Sequence, residues 1–218
     1  VMSLRKCVVV GAIGVVAFGP LAMAQPMPLA RRTGGILVCD NGADKIFLLR
    51  DRDGNGVNTA DPLEYTEFFS AANQSGLVTP IVLPTAIFQA ADGTVYISDF
   101  TAKAVYAVRD NNGNGTANDP GEARVWFNHL TNAKGFSMVS PNALGSDSSG
   151  AIYIGTAGTS GFPQRAIYRT VDMGVPDGNA NGAGEATMWA DLSTLVTVPG
   201  NSSIQDMCFI GDTAYIMD

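Results

Sequence analysis

Histidine and cysteine are nearly missing from this chain, which has one histidine, His129, and three cysteines in 218 residues. That scarcity excludes much chemistry. A zinc site takes nitrogen or thiolate ligands in number, more than His129, Cys39 and Cys208 supply. A Ser-His-Asp hydrolase would have to use His129, yet no Gly-x-Ser-x-Gly elbow occurs. His129 reads as an ordinary loop residue. Positive charge is also scarce, with 13 Lys and Arg against 20 Asp and Glu. The basic residues are scattered, so nothing resembles the footprint that nucleic acid or an anionic membrane surface requires. Helical periodicity of useful length is lacking, and no glycine loop stands between a strand and a helix to cradle phosphate.

Long apolar runs are lacking too, except at the start. There Arg5 and Lys6 precede an apolar run from Cys7 to Phe18, then Gly19-Pro20 and the small-x-small pattern Ala22-Met23-Ala24. The run is shorter than the roughly 20 residues that span a bilayer. It predicts a secretory signal peptide, residues 1–24, cut after Ala24. Cleavage leaves 11 basic against 20 acidic residues, a balance of −9. An acidic protein secreted to an extracellular or periplasmic space has a divalent cation as its natural partner. Cys39 and Cys208 lie in apolar runs and are expected to be buried thiols, or a disulfide if the fold brings the ends together.

What the chain has in abundance is repetition at about sixty residues. Ile36–Asp40, Val95–Asp99, Ile152–Thr156 and Ala214–Asp218 are four versions of one strand. The first three lead to a second strand: Lys45–Arg50, Ala104–Arg109 and Ala166–Thr170. A polar loop follows, then a third strand: Tyr65–Phe69, Ala123–Phe127 and Ala186–Trp189. Before the last three copies lies one more apolar segment: Ala86–Ala90, Asn142–Ser146 and Asp206–Ile210. Alternation, β-branched and aromatic residues, and Gly/Asp turns make these strands. Each unit is a four-stranded antiparallel meander, a to d. Such repeats predict an all-β fold, a β-propeller over residues 25–218 with units near 34–69, 86–127, 142–190 and 206–218. A β-solenoid has shorter coils.

Thr94-Val95-Tyr96-Ile97-Ser98-Asp99, a polar turn and Ala104 to Asp110 resemble NHL-type blades and the six-bladed propellers that include gluconolactonase-like proteins. With about three and a half units, and no strand a evident between Gln25 and Thr33, the chain reads as a fragment of a longer propeller. Its missing first strand is then expected from a lost C-terminal part. In the gluconolactonase-like group, acidic and amide residues near the channel hold a catalytic metal. That resemblance directs attention to Asp40, Asp99 and Asp218 at the end of strand b, which as plain residues are turn caps. Trp126 and Trp189 occupy matching places in strand d and read as packing anchors.

The c-to-d loops carry the most specific pattern. Asp51, Asp53, Asn55 and Gly56 match Asp110, Asn112, Asn114 and Gly115, and Asp177, Asn179, Asn181 and Gly182 form a looser third set. Alternate oxygen-bearing side chains before a glycine suit Ca2+, which takes six to eight oxygens at about 2.3–2.6 Å. The start resembles the EF-hand and dockerin loop. An EF-hand Glu is missing at the twelfth position, where Pro62 and Gly121 stand instead. The expected ligands are Asp51, Asp53, Asn55, Asp110, Asn112 and Asn114, with the Val57 and Thr116 carbonyls. The later acids Asp61, Glu64, Asp119, Glu122 and Glu185 follow. Asp172 holds the place of Asp110 in the third loop, five residues before the Asp177 pattern. The competing account is that these are Asx turns capping their own backbone.

These features point to a secreted calcium-binding scaffold with an extracellular protein or carbohydrate ligand. The alternative is a metal-dependent propeller hydrolase, lactonase-like or phytase-like; only Arg50 and Arg109 adjoin the loops, too few for phosphate.

Overall fold

The computed structural model describes residues 7–8, 35–52, 64–70, 77, 80–128, 140–157, 165–173, 176–195 and 203–217. Three sheets of four antiparallel strands and one hairpin follow each other along the chain. The first sheet is β1 (Cys7–Val8), β2 (Ile36–Asp40), β3 (Lys45–Leu49) and β4 (Tyr65–Ser70). The second is β5 (Pro84–Gln89), β6 (Val95–Asp99), β7 (Ala104–Val108) and β8 (Ala123–Asn128). The third is β9 (Pro141–Ser146), β10 (Ile152–Thr156), β11 (Ala166–Thr170) and β12 (Ala186–Asp191), followed by a short helix α1 (Leu192–Leu195). The hairpin is β13 (Asp206–Ile210) and β14 (Thr213–Met217). Successive a strands lie side by side, β5 against β9 and β9 against β13. The sheets are blades of a β-propeller.

Strands b and c make the interior because both of their faces are apolar. Every residue of β6, β7 and β10 is buried, the polar Ser98, Asp99 and Thr156 at the strand ends included. The core lies between blades. Leu48, Phe69, Ile87, Ile97 and Tyr106 join the first to the second. Tyr96, Trp126, Phe127, Ile154 and Tyr168 join the second to the third. Ile167, Tyr153, Ile204 and Met207 join the third to the hairpin. Gly155 is needed for that last contact, since a Cβ there would stand 2.7 Å from Ile204 Cγ2.

Two expectations are corrected. The first position of the first sheet is held by Cys7–Val8, paired antiparallel with β2 through Cys7↔Cys39 and Val8↔Val38. This strand comes from the segment read as a leader. Cys208 is exposed while Cys39 is buried. The hairpin has no third strand beside it among the described residues, which leaves alternate residues of β14 in solvent.

One feature was not foreseen. In each blade the c–d ladder slips at the same place, between Ile46 and Phe47, between Val105 and Tyr106, and between Ile167 and Tyr168. The residue left out of register on strand d is Phe68, Trp126 or Trp189. Such a β-bulge turns one residue's backbone away from the ladder.

The b-to-c turns contain Asp44 at φ 55° and Lys103 at φ 53°, a left-handed conformation that asparagine tolerates better than most side chains. Burial, followed by the charges of Asp99 and Asp40, raises the Asp44 carboxyl above its usual value. A raised folded value means that the charged form is the disfavoured one. Stability is therefore lost as pH climbs from the ordinary carboxylate range through the folded value. Asp44→Asn is expected to raise the melting temperature at pH 7 and to gain less below the carboxylate range. Equal gains at pH 3 and pH 7 would remove the charge from the explanation.

Candidate metal loops

The second c-to-d loop is fully described, and its base is closed by a backbone pair, Arg109 N–H donating to Glu122 C=O at 2.8 Å. Asp110 accepts from the N–H groups of Gly113 (2.6 Å) and Asn114 (3.1 Å) on Oδ1 and from Gly115 (2.9 Å) on Oδ2. Gly113 and Gly115 take φ of 78° and 94°, which lets the chain wind around that carboxylate. The Oδ1 atoms of Asn112 and Asn114 accept from the N–H two residues on, while both Nδ2 groups reach Asp119 Oδ2 at 2.7 Å. Asp119 Oδ2 is thus the point on which the alternating side chains converge. The Thr116 hydroxyl and N–H both donate to Asn114 Oδ1.

Glu122 is buried, and its carboxylate reaches back to the N–H groups of Asn111 (2.8 Å), Asn112 (3.3 Å) and Asp119 (3.2 Å). The pattern recurs. Glu64 is buried and accepts from Arg52 N–H at 3.0 Å, with Arg50 N–H on its carbonyl. Glu185 is buried and accepts from Met173 N–H at 3.0 Å and Gly182 N–H at 2.5 Å, with Val171 N–H on its carbonyl. In every blade this glutamate ties the end of the loop to its beginning. Spacing alone marks it, fourteen or fifteen residues after the last residue of strand c.

In the third loop the structure settles the register. Asp172 accepts from Gly178 N–H at 2.8 Å and from Asp177 N–H at 3.3 Å, as Asp110 does in the second loop. Asp177 and Asn179 each accept from the N–H two residues on, at 3.0 and 2.9 Å. Asn181 leaves the loop altogether: its Oδ1 accepts from Asn128 N–H of β8 at 2.9 Å. It therefore corresponds to Asn118, which accepts from Ser70 N–H of β4 at 3.1 Å, and not to Asn114. In the first loop Asp51 is exposed, and Asp53, Asn55, Val57 and Asp61 lie outside the described residues, as do His129 and Asp218.

The donor chemistry of the second loop fits a hard cation. Asp110, Asn112, Asn114, Asp119 and Glu122 offer only oxygen and amide groups, and an amide can present its oxygen by a half-turn. As placed, the Asp110 and Glu122 carboxylates serve backbone N–H groups. No cluster of three or more His, Cys, Asp or Glu side chains disposed for a metal is found among the described residues.

On the opposite face, Asp99 is completely buried and spends both oxygens on backbone. Oδ2 accepts from Val82 (2.5 Å) and Leu83 (3.0 Å), and Oδ1 from Thr101 (2.9 Å) and Ala102 (2.7 Å). Asp40 makes the same turn contacts, to Gly42 N–H at 2.9 Å and Ala43 N–H at 3.1 Å. Thr156 replaces them in the third blade, bonding both the N–H and the carbonyl of Ala166. These are structural caps. Trp126 is buried, edge-on to Tyr96 with its Nε1–H on Thr170, whereas Trp189 in the same place is 46% exposed. Burial, chiefly, and the Asp92 charge push the Tyr96 hydroxyl up to about 12, so it stays neutral.

No family model and no curated protein matches the sequence. Among solved structures, the chain is similar to one described as a candidate gluconolactonase, at 16% identity and a TM-score of 0.40, over 84% of this chain and 67% of that one. No helix among the described residues is long and apolar enough to cross a membrane.

Proposed function

We propose that this chain is a secreted propeller module that binds calcium in its c-to-d loops and acts as a scaffold for an extracellular protein or carbohydrate. The observation that carries the reading is the convergence of Asn112 and Asn114 on the Asp119 carboxylate inside a loop wound around Asp110. A cation there would draw these oxygens onto itself and neutralise their charge. The role is structural rather than catalytic, because the loops sit at blade rims and their glutamates already bind loop backbone. The hydrolase alternative is weakened by Asp99, whose four N–H partners leave it poorly suited to hold a catalytic metal. Cleavage after Ala24 would remove β1 and open the edge of β2 to another strand.

Calcium titration calorimetry on the chain is expected to find two or three sites. Replacing both Asp110 and Asn112 by Ala is expected to remove about one ion of that stoichiometry. A folded protein that takes up no calcium would sink the reading. An unchanged stoichiometry in the double variant would clear this loop of the role.

A further inference from the structure

The same short step in two loops leaves its own blade and grips the previous one. Ala117 N–H donates to Phe68 C=O at 2.7 Å, and Ala180 N–H donates to Trp126 C=O at 2.7 Å. The next residue completes the grip, Asn118 Oδ1 on Ser70 N–H and Asn181 Oδ1 on Asn128 N–H. The two acceptor carbonyls belong to the bulged residues of β4 and β8. A bulged residue has lost its place in the ladder, so its carbonyl is available to a partner outside the sheet. Ala117 and Ala180 are wholly buried, each within the core between its two blades. An arginine of the preceding blade lies under each loop as well. Arg124 Nε–H donates to Gly178 C=O, and a Cβ on Gly115 would stand 3.6 Å from Arg50 Nη2.

We propose that each Ala-Asn step is a latch between consecutive blades, and that calcium in the loop sets how tightly the latch holds. The latch and the candidate ligands are parts of one winding. Thr116 follows Asn114 and precedes Ala117, and Asp119 follows Asn118 directly. An ion that fixes Asn114 and Asp119 therefore fixes the segment 117–118 between them. The latch residues themselves are not ligands. The coupling to calcium rests on the reading above; the hydrogen bonds do not. The first loop carries Thr59-Ala60 where the others have Ala-Asn, five and four residues before Glu64. Residues 59–60 lie outside the described residues.

The test is amide hydrogen exchange of the full chain at Ser70 and Asn128, with calcium and with EDTA, beside calorimetry on the same samples. Calcium is expected to slow both amides at least about tenfold, which corresponds to about 1.4 kcal/mol. In Asn118→Ala the Ser70 amide is expected to lose that protection while Asn128 keeps it and calcium still binds. Asn118→Asp preserves an accepting oxygen and is expected to restore the protection, which separates loss of the latch from general misfolding. Calcium uptake without added protection at Ser70 and Asn128 would overturn the coupling. Protection at Ser70 that survives Asn118→Ala would overturn the latch. A chain that binds no calcium would overturn the underlying reading and the coupling with it, while loss of Ser70 protection in Asn118→Ala would still support the latch itself.

Discussion

Asp99→Ala is expected to melt roughly 10 °C or more below the parent chain. The carboxylate accepts four backbone N–H groups, two from the crossover that enters β5 and two from the turn that follows β6. Each donor left unpaired in the interior costs about 1–3 kcal/mol. The four are not additive, since the relaxed turn can admit water to some of them. A total near 4 kcal/mol is a reasonable sum, and for a chain of this size each kcal/mol lowers the melting temperature by about 2–4 °C. Asp99→Asn removes the charge and half of the acceptors together. The amide keeps one accepting oxygen but points an NH2 at two of the N–H donors. It is therefore expected to be almost as damaging as alanine. Thermal melts of both variants decide the matter: values within about 2 °C of the parent would show that Asp99 does not hold the crossover to the turn.

Excess EDTA is expected to lower the melting temperature of the calcium-loaded protein by about 10–20 °C. A ligand at a hundred times its dissociation constant contributes about 2.7 kcal/mol per site. Two filled loops therefore contribute about 5 kcal/mol, at about 2–4 °C for each. Chelation is not expected to abolish folding. In the second loop, Asp110 and Glu122 are already satisfied by N–H groups, and Asn112 and Asn114 hold the Asp119 carboxylate. The loop can stay closed without an ion, at a cost set by the like charges it brings together. Identical melting curves with calcium and with EDTA would eliminate calcium as a stabiliser and leave Asx turns that cap their own backbone.

The latch adds a reason for placing such loops at the rim of a propeller. Blades meet mainly through apolar faces, and apolar contact has little directional preference. Two hydrogen bonds to fixed points on β4, Ala117 N–H donating to Phe68 C=O and Asn118 Oδ1 accepting from Ser70 N–H, supply direction. The recurring bulge at Phe68 and Trp126 provides the acceptor. In the third blade the bulged residue is Trp189, whose counterpart Trp126 is covered by the next blade. Trp189 is 46% exposed and stands edge-on to Tyr153.

By itself the sequence determined the strands, their period and the loops, because these depend on neighbours. Short runs of β-branched and aromatic residues such as Val95–Asp99 and Ala104–Val108 mark the strands, and glycine beside aspartate or asparagine fixes where the chain turns. The burial of β7 is visible in its unbroken apolar composition, Ala-Val-Tyr-Ala-Val, whereas that of Ser98 and Asp99 in β6 is not. What joins one blade to the next depended on the tertiary structure. Ala117 and Phe68 are far apart in the chain, and no local rule says that a bulge in one strand will present its carbonyl to that loop. The third loop shows the difference well. An Asp-x-Asn-x-Asn-Gly pattern assigns Asn181 to a cation, but packing against β8 gives its oxygen to the Asn128 N–H, while the place of Asp172 opposite Asp110 was already legible in the sequence. Side chains with the same chemistry can serve a metal, a turn or a neighbouring strand, and only the positions of the surrounding backbone groups decide among them.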